Sequence, residues 1–137
     1  MTAPDEMVPI AREEDIVTAR QLARQVARTL GFGAVDQSRV ATAVSELTRN
    51  VVRYATQGRG EVRIRQFTAD GGAVGIEVVV ADAGPGIADV DQVLQQGFTS
   101  GIGLGMGLPA TRRLMDEMEI DTALGRGTTI TIRKWRR

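Results

Sequence analysis

At 137 residues, 42% apolar and 25% charged, the chain has the length and mix of one globular domain spanning residues 1–137, with a core of its own. Its 17 basic residues balance 17 acidic ones, so no global field draws it to nucleic acid or to a membrane surface. The absence of Cys and His excludes disulfides, thiol nucleophiles, thiolate or His-ligated metals, Ser-His-Asp triads and self-phosphorylation on histidine.

The only lysine, Lys134, stands three residues from the end, so P-loop, strand-borne ATP-binding and Schiff-base lysines have no suitable position. No apolar run approaches the ~20 residues of a membrane span. The acidic N-terminus lacks the apolar segment of a secretion signal, and the expected compartment is the cytoplasm.

Met7–Ala11 reads as a short edge strand. Asp15 reads as the N-cap of a first helix, whose Ile16, Ala19, Ala23, Val26, Ala27 and Leu30 recur at helical spacing before Gly31 stops it. Asp36 reads as the opening of a second helix, Gln37 to about Ala55, with Val40, Val44, Leu47 and Val51 as its apolar stripe. A loop, 56–60, leads to the alternating strand Glu61–Phe67. Asp70-Gly-Gly72 is a hairpin turn, and Ala73–Val80 is apolar enough to be a central strand.

That strand runs into Asp82-Ala-Gly-Pro-Gly-Ile87, where Pro85 and Gly86 suit a type II turn. Asp89 then caps a short helix, about 90–96. Five glycines follow within eleven residues, at 97, 101, 103, 105 and 107. A helix begins near Leu108 with Pro109 in its first turn and Leu108, Thr111, Leu114, Met115 and Met118 on its buried side. Glu119–Leu124 and Thr128–Trp135 close the chain as a hairpin around Gly125-Arg-Gly127. The basic end, Arg133–Arg137, reads as a solvated patch with Trp135 packing back onto the core. The expected fold is α+β: a two-layer sandwich with a mixed, mainly antiparallel sheet and helices on one face.

Four stretches can carry chemistry. Glu46 and Asn50, four apart, share a helix face at the edge of the core. An Asn oxygen can be one ligand of Mg²⁺, and a carboxylate there can orient or deprotonate a nucleophile near a phosphate. An ordinary solvated helix face carries the same pair. Asp82 can face a ligand, or simply belong to its turn. The glycines of Gly101-Ile-Gly-Leu-Gly-Met-Gly107 leave backbone amides open ahead of a helix start, which suits an anion, although the stretch is neither a Walker motif nor a dinucleotide GxGxxG. It also reads as a surface loop. In Gly125-Arg-Gly-Thr-Thr129, the hydroxyl of Thr128 can reach a base edge, but the stretch needs no function as a turn.

In this order the four stretches resemble the motif series of the GHKL ATPase and kinase superfamily, and within it the small bacterial serine kinases of the sigma-regulatory and stressosome switches. The likeness covers essentially the whole chain and implies the Bergerat ATP-binding fold. It places adenine recognition on Asp82, the Mg²⁺ ligand on Asn50 and the catalytic carboxylate on Glu46. Further contacts to ATP fall on Gly84, Gly86, Ile87, Gly101, Gly103, Gly105, Met106, Gly107, Leu108 and Thr128. The segment Phe98-Thr-Ser-Gly101 is shorter than the lid of the anti-sigma branch and lacks its lysine.

The resemblance implies ATP and Mg²⁺ as cofactors and a STAS-domain scaffold, of the RsbS/RsbR kind, as the protein phosphorylated. Released from it, the kinase would activate a PP2C-type, RsbU-like phosphatase. It implies no nucleic-acid or membrane partner. The alternatives are an anti-sigma factor or nucleotide-dependent binding switch, and a simple ATPase.

Overall fold

The computed structural model describes residues 3–54, 59–82, 108–123 and 127–137. Among them run β1 (Asp5–Ile10), α1 (Glu13–Thr29), α2 (Ala34–Tyr54), β2 (Gly60–Thr68), β3 (Val74–Asp82), α3 (Leu108–Leu114), β4 (Glu117–Ala123) and β5 (Gly127–Trp135). The strands form one sheet in the order β1-β2-β3-β5-β4. All four ladders are antiparallel, so the mainly antiparallel sheet is antiparallel throughout among these residues. As expected, β1 lies at an edge and β3 at the centre.

Side chains alternate across each strand, which gives the sheet two unlike faces. Val62, Ile64, Ile76, Val78, Val80, Ile130 and Ile132 point one way and are buried. Against them pack Ala19, Ala23, Val26 and Ala27 of α1 and Val40, Val44, Leu47 and Val51 of α2, in one core cluster. The helices therefore occupy one face, as the sequence predicts.

Helix starts differ from expectation. Asp15 is not the N-cap of α1, which already begins at Glu13. From the third helical position its carboxylate reaches back and accepts from the N–H groups of Ala11 and Arg12, both at 2.9 Å. These bonds, Ala11 first, hold the Asp15 carboxyl below its usual range. Similarly, α2 begins at Ala34 because the Gln37 N–H donates to the Gly33 carbonyl at 2.9 Å. Asp36 falls in its first turn, where a carboxylate complements the helix dipole. The β2–β3 turn is as expected: Gly71 and Gly72 take φ of 93° and 89°, which only glycine adopts freely.

Two corrections concern the C-terminal third. α3 stops at Leu114, because the Asp116 N–H donates to the Arg133 carbonyl at 3.0 Å and draws the chain into the sheet. Met118 consequently lies in β4, opposite Ile132, and not on the helix. The basic end is also not simply solvated. Trp135 packs not onto the core but onto the outer face of the sheet, 5.3 Å from the Phe67 ring, because it alternates with the core-facing Ile132 and Lys134. But Lys134 is 5% exposed, donating to the Leu114 carbonyl at 2.9 Å with the Asp36 and Asp116 carboxylates 3.8 and 3.9 Å away. Arg136 donates to the Leu30 carbonyl at 3.0 Å.

The face away from the helices carries a row of alternating charge. Asp5, Arg65, Glu77, Arg133 and Glu117 stand opposite one another across all five strands. Glu77, at its centre, is 1% exposed and accepts from Arg65 at 2.6 Å and Arg133 at 2.7 Å. Burial pushes its carboxyl up, but the hydrogen bonds and charges of Arg133 and Arg65 outweigh this and hold it below the usual range. Arg133 also lies over the Phe67 ring, 4.5 Å from its centroid.

Candidate active site

The helix-facing side of the sheet has a matching row at the opposite strand ends. Ile10, Gly60, Asp82, Thr128 and Thr122 are register partners in turn from β1 to β4. Alternation puts them on the core side, two residues beyond Val62, Val80 and Ile130. The row thus changes from apolar to polar where the sheet runs out from under its core.

Asp82 is the last residue of β3, partly buried, with Gly60 on one side and Thr128 on the other. Thr128 is 7% exposed. Its hydroxyl lies 2.9 Å from that of Thr122, which in turn donates to the Gly127 carbonyl at 3.0 Å. A carbonyl only accepts and a hydroxyl has one proton, so Thr128 donates to Thr122 and keeps its lone pairs for a neighbour.

Gly60 explains how α2 reaches this row. A Cβ there would meet the Ala81 carbonyl oxygen at 2.3 Å and Val51 Cγ1 at 2.9 Å. Only glycine lets the start of β2 slide this close beneath the last turns of α2. At these strand ends a cleft of about 330 Å³ is lined by Arg59, Gly60, Glu61, Ala81 and Asp82, with no residue of α2 among its described lining.

Asn50 directly precedes Val51, so it sits on the part of α2 that covers the strand ends, and Glu46 lies one turn back. Both are partly buried. Glu46 accepts from Arg49 at 2.9 Å, each side chain about a third exposed, at 32% and 33%. Leu108, 1% exposed, opens α3 and belongs to the core, so at this position a packing role is certain. Gly84, Gly86, Ile87, Gly101, Gly103, Gly105, Met106 and Gly107 lie outside the described residues. So do Asp89 with its short helix, the loop residues 56–58 and residues 124–126 of the last hairpin.

The structure brings Asp82 and Thr128 side by side and sets Asn50 on the helix above their row. Arg49, Gly60, Thr122 and Arg59 escaped the sequence reading. The spacing of Arg49 from Glu46, three residues on one helix, was a usable signal; the pairing of Thr122 with Thr128 needed the strand register.

The donor set suits a purine nucleotide with its metal. A carboxylate and a hydroxyl lone pair accept from an exocyclic amine. One amide oxygen suits Mg²⁺, which takes its other ligands from phosphates and water.

A model of the histidine kinase-like ATPase domain family matches residues 10–134. The serine/threonine-protein kinase RsbT of Bacillus subtilis is 50% identical over 130 residues, covering 95% of this chain and 96% of that protein. An anti-sigma F factor of Caldanaerobacter subterraneus is 30% identical over 134 residues, covering 95% and 92%. Among solved structures, a Mycobacterium tuberculosis protein with RsbU and RsbW domains matches with a TM-score of 0.63 at 22% identity. That match covers 98% of this chain and 33% of the longer one. The mycobacterial sensor histidine kinase MprB matches with a TM-score of 0.56 at 23% identity, covering 98% and 99%. The chain belongs to the histidine kinase-like ATPase domain family. Its near full-length likeness to RsbT makes it a protein serine/threonine kinase of that family.

Proposed function

We propose that this kinase uses ATP and Mg²⁺ to phosphorylate a serine of a STAS-domain scaffold, of the RsbS/RsbR kind, in a cytoplasmic stress switch. Once that scaffold is phosphorylated, the kinase is released to activate a PP2C-type, RsbU-like phosphatase. The observation that carries the reading is the likeness to RsbT along the whole of both chains. The lower identity of the anti-sigma F relative favours the kinase over the sigma-binding alternative.

Each described residue has a task in this reading. Asp82 accepts from the adenine amine at the end of β3, and Thr128 adds its lone pair. Asn50 offers its amide oxygen to the metal, whose charge, when bound, neutralises the phosphates. Glu46 takes or orients the proton of the attacking serine hydroxyl, and Arg49 fixes where that carboxylate points. Leu108 starts the helix that follows the glycine-rich stretch 101–107. The protein does little covalent chemistry: it positions the reactants and stabilises charge.

The test is incubation with Mg-ATP and a STAS-domain protein encoded beside this one, followed by mapping of the phosphorylated residue. One modified serine supports the reading. ATP hydrolysis with no transfer to the STAS protein leaves a simple ATPase instead.

A further inference from the structure

We propose that the free edge of β4 takes up an extended segment of a partner protein in which basic and apolar residues alternate.

The backbone of β4 is half used. Trp135 turns its N–H away from β3 to donate to the Asp116 carboxylate at 2.8 Å, while the next residue, Arg136, donates to the Val74 carbonyl on the β3 side at 2.8 Å. Backbone groups alternate along a strand, so Arg133, Thr131 and Thr129 also face β4, where they stand opposite Glu117, Glu119 and Asp121. The residues between, Met118, Ile120 and Thr122, therefore turn their N–H and C=O groups outward. Among the described residues β4 ends the sheet, and no strand pairs with this side. Such a row of donors and acceptors is a template for one further strand.

Side chains define which strand fits. Glu117, Glu119 and Asp121 are exposed on the outer face, spaced about 6.7 Å apart by the two-residue repeat. Arg133 senses Glu117 and Glu119 through space, but its hydrogen bond and ion pair go to Glu77. Among the described residues no group of three acidic side chains is arranged to hold a metal ion, so the row suits separate cationic side chains at strand spacing. On the other face, Met118 and Ile120 are only partly buried at the border of the core. A strand laid alongside would set Lys or Arg beside the acids and apolar residues beside Met118 and Ile120. Both kinds of cross-strand pair are stabilising.

Charge and backbone chemistry also exclude the chain's own edges. A second copy of β4 would set carboxylate against carboxylate. The other edge strand, β1, lacks an N–H at Pro9 and carries Asp5 on its outer face. The complement is a basic strand from another protein.

A blocked heptapeptide alternating lysine and valine tests this on the whole, isotope-labelled protein. Hydrogen exchange followed by NMR should show the Met118 and Ile120 amides slowed about tenfold or more at saturating peptide. The Glu117 and Glu119 amides, already directed at β5, should change less. Glu119→Gln combined with Asp121→Asn should weaken peptide binding about fivefold. The same peptide N-methylated at its valines keeps its charge but loses the edge hydrogen bonds, and should not bind. Equal binding of the N-methylated peptide, or of a glutamate–valine heptapeptide, overturns the proposal. So does an absence of binding at millimolar peptide, or protection that falls on β1 instead of β4.

Discussion

Asp82 stands directly opposite Thr128 across the β3–β5 ladder, with both side chains on the helix-facing side of the sheet. Forty-six residues separate them in the chain, and one register pair joins them. Asp82→Asn replaces an acceptor by a group that also presents donors to the adenine amine. It should weaken ATP binding by about 1–3 kcal/mol, roughly 5- to 150-fold. Titration calorimetry checks this, and unaltered affinity would remove Asp82 from the pocket.

Thr122 should act on the nucleotide through Thr128. Thr122→Val breaks the 2.9 Å hydroxyl pair and frees the Thr128 proton to turn into the pocket. ATP affinity should fall by about 0.5–1.5 kcal/mol. Thr128→Val should have a similar effect, and the double variant should be no worse than the stronger single one. Additive losses in such a cycle would mean that the two hydroxyls act separately.

For Glu46, charge should matter to transfer and not to binding. Glu46→Gln keeps the size and removes the base, so ATP affinity should stay within twofold while transfer to the protein substrate falls 10²-fold or more. Unchanged transfer takes Glu46 out of the chemistry. Arg49→Met should fall between the two, because it leaves the carboxylate present but no longer held at 2.9 Å.

Glu77 tests the outer face of the sheet, away from the site. Its folded carboxyl titrates below the ordinary value because Arg133 and Arg65 outweigh the effect of burial. A depressed carboxyl contributes stability above its unfolded pKa of about 4.3 and loses that contribution as pH falls through the lower folded value. Glu77→Gln should therefore lower stability by about 1–3 kcal/mol at pH 7, discounted for the part-exposed arginines. The gap should close progressively below about pH 4. Urea melts across pH measure it, and a gap independent of pH would show that packing and not charge holds Glu77.

The layers of the fold were legible because they follow local periods. Val40, Val44, Leu47 and Val51 mark a helix stripe, Val62 and Ile64 an alternating strand, and Gly71-Gly72 a turn. The end of α3 was not legible. Met115-Asp116-Glu117-Met118 continues a helical period, and only the bond from Asp116 to Arg133, seventeen residues on, diverts it into β4. Glu77 and Lys134 look like surface charges for the same reason: their burial depends on partners far along the chain. In the site, Asp82, Asn50 and Glu46 could be proposed from motif order. Gly60 and Thr122 could not, because their roles exist only in the register of the strands.

The most direct measurement of the central claim is an amide NMR titration of the labelled protein with Mg-ATP. The site described here predicts the largest shifts at Gly60, Asp82, Thr128, Glu46 and Asn50, with Val35 and the Asp5–Arg65–Glu77–Arg133–Glu117 row nearly unmoved. Shifts concentrated around that outer row, or at the exposed Val35, with the Gly60–Asp82–Thr128 row silent, would contradict it.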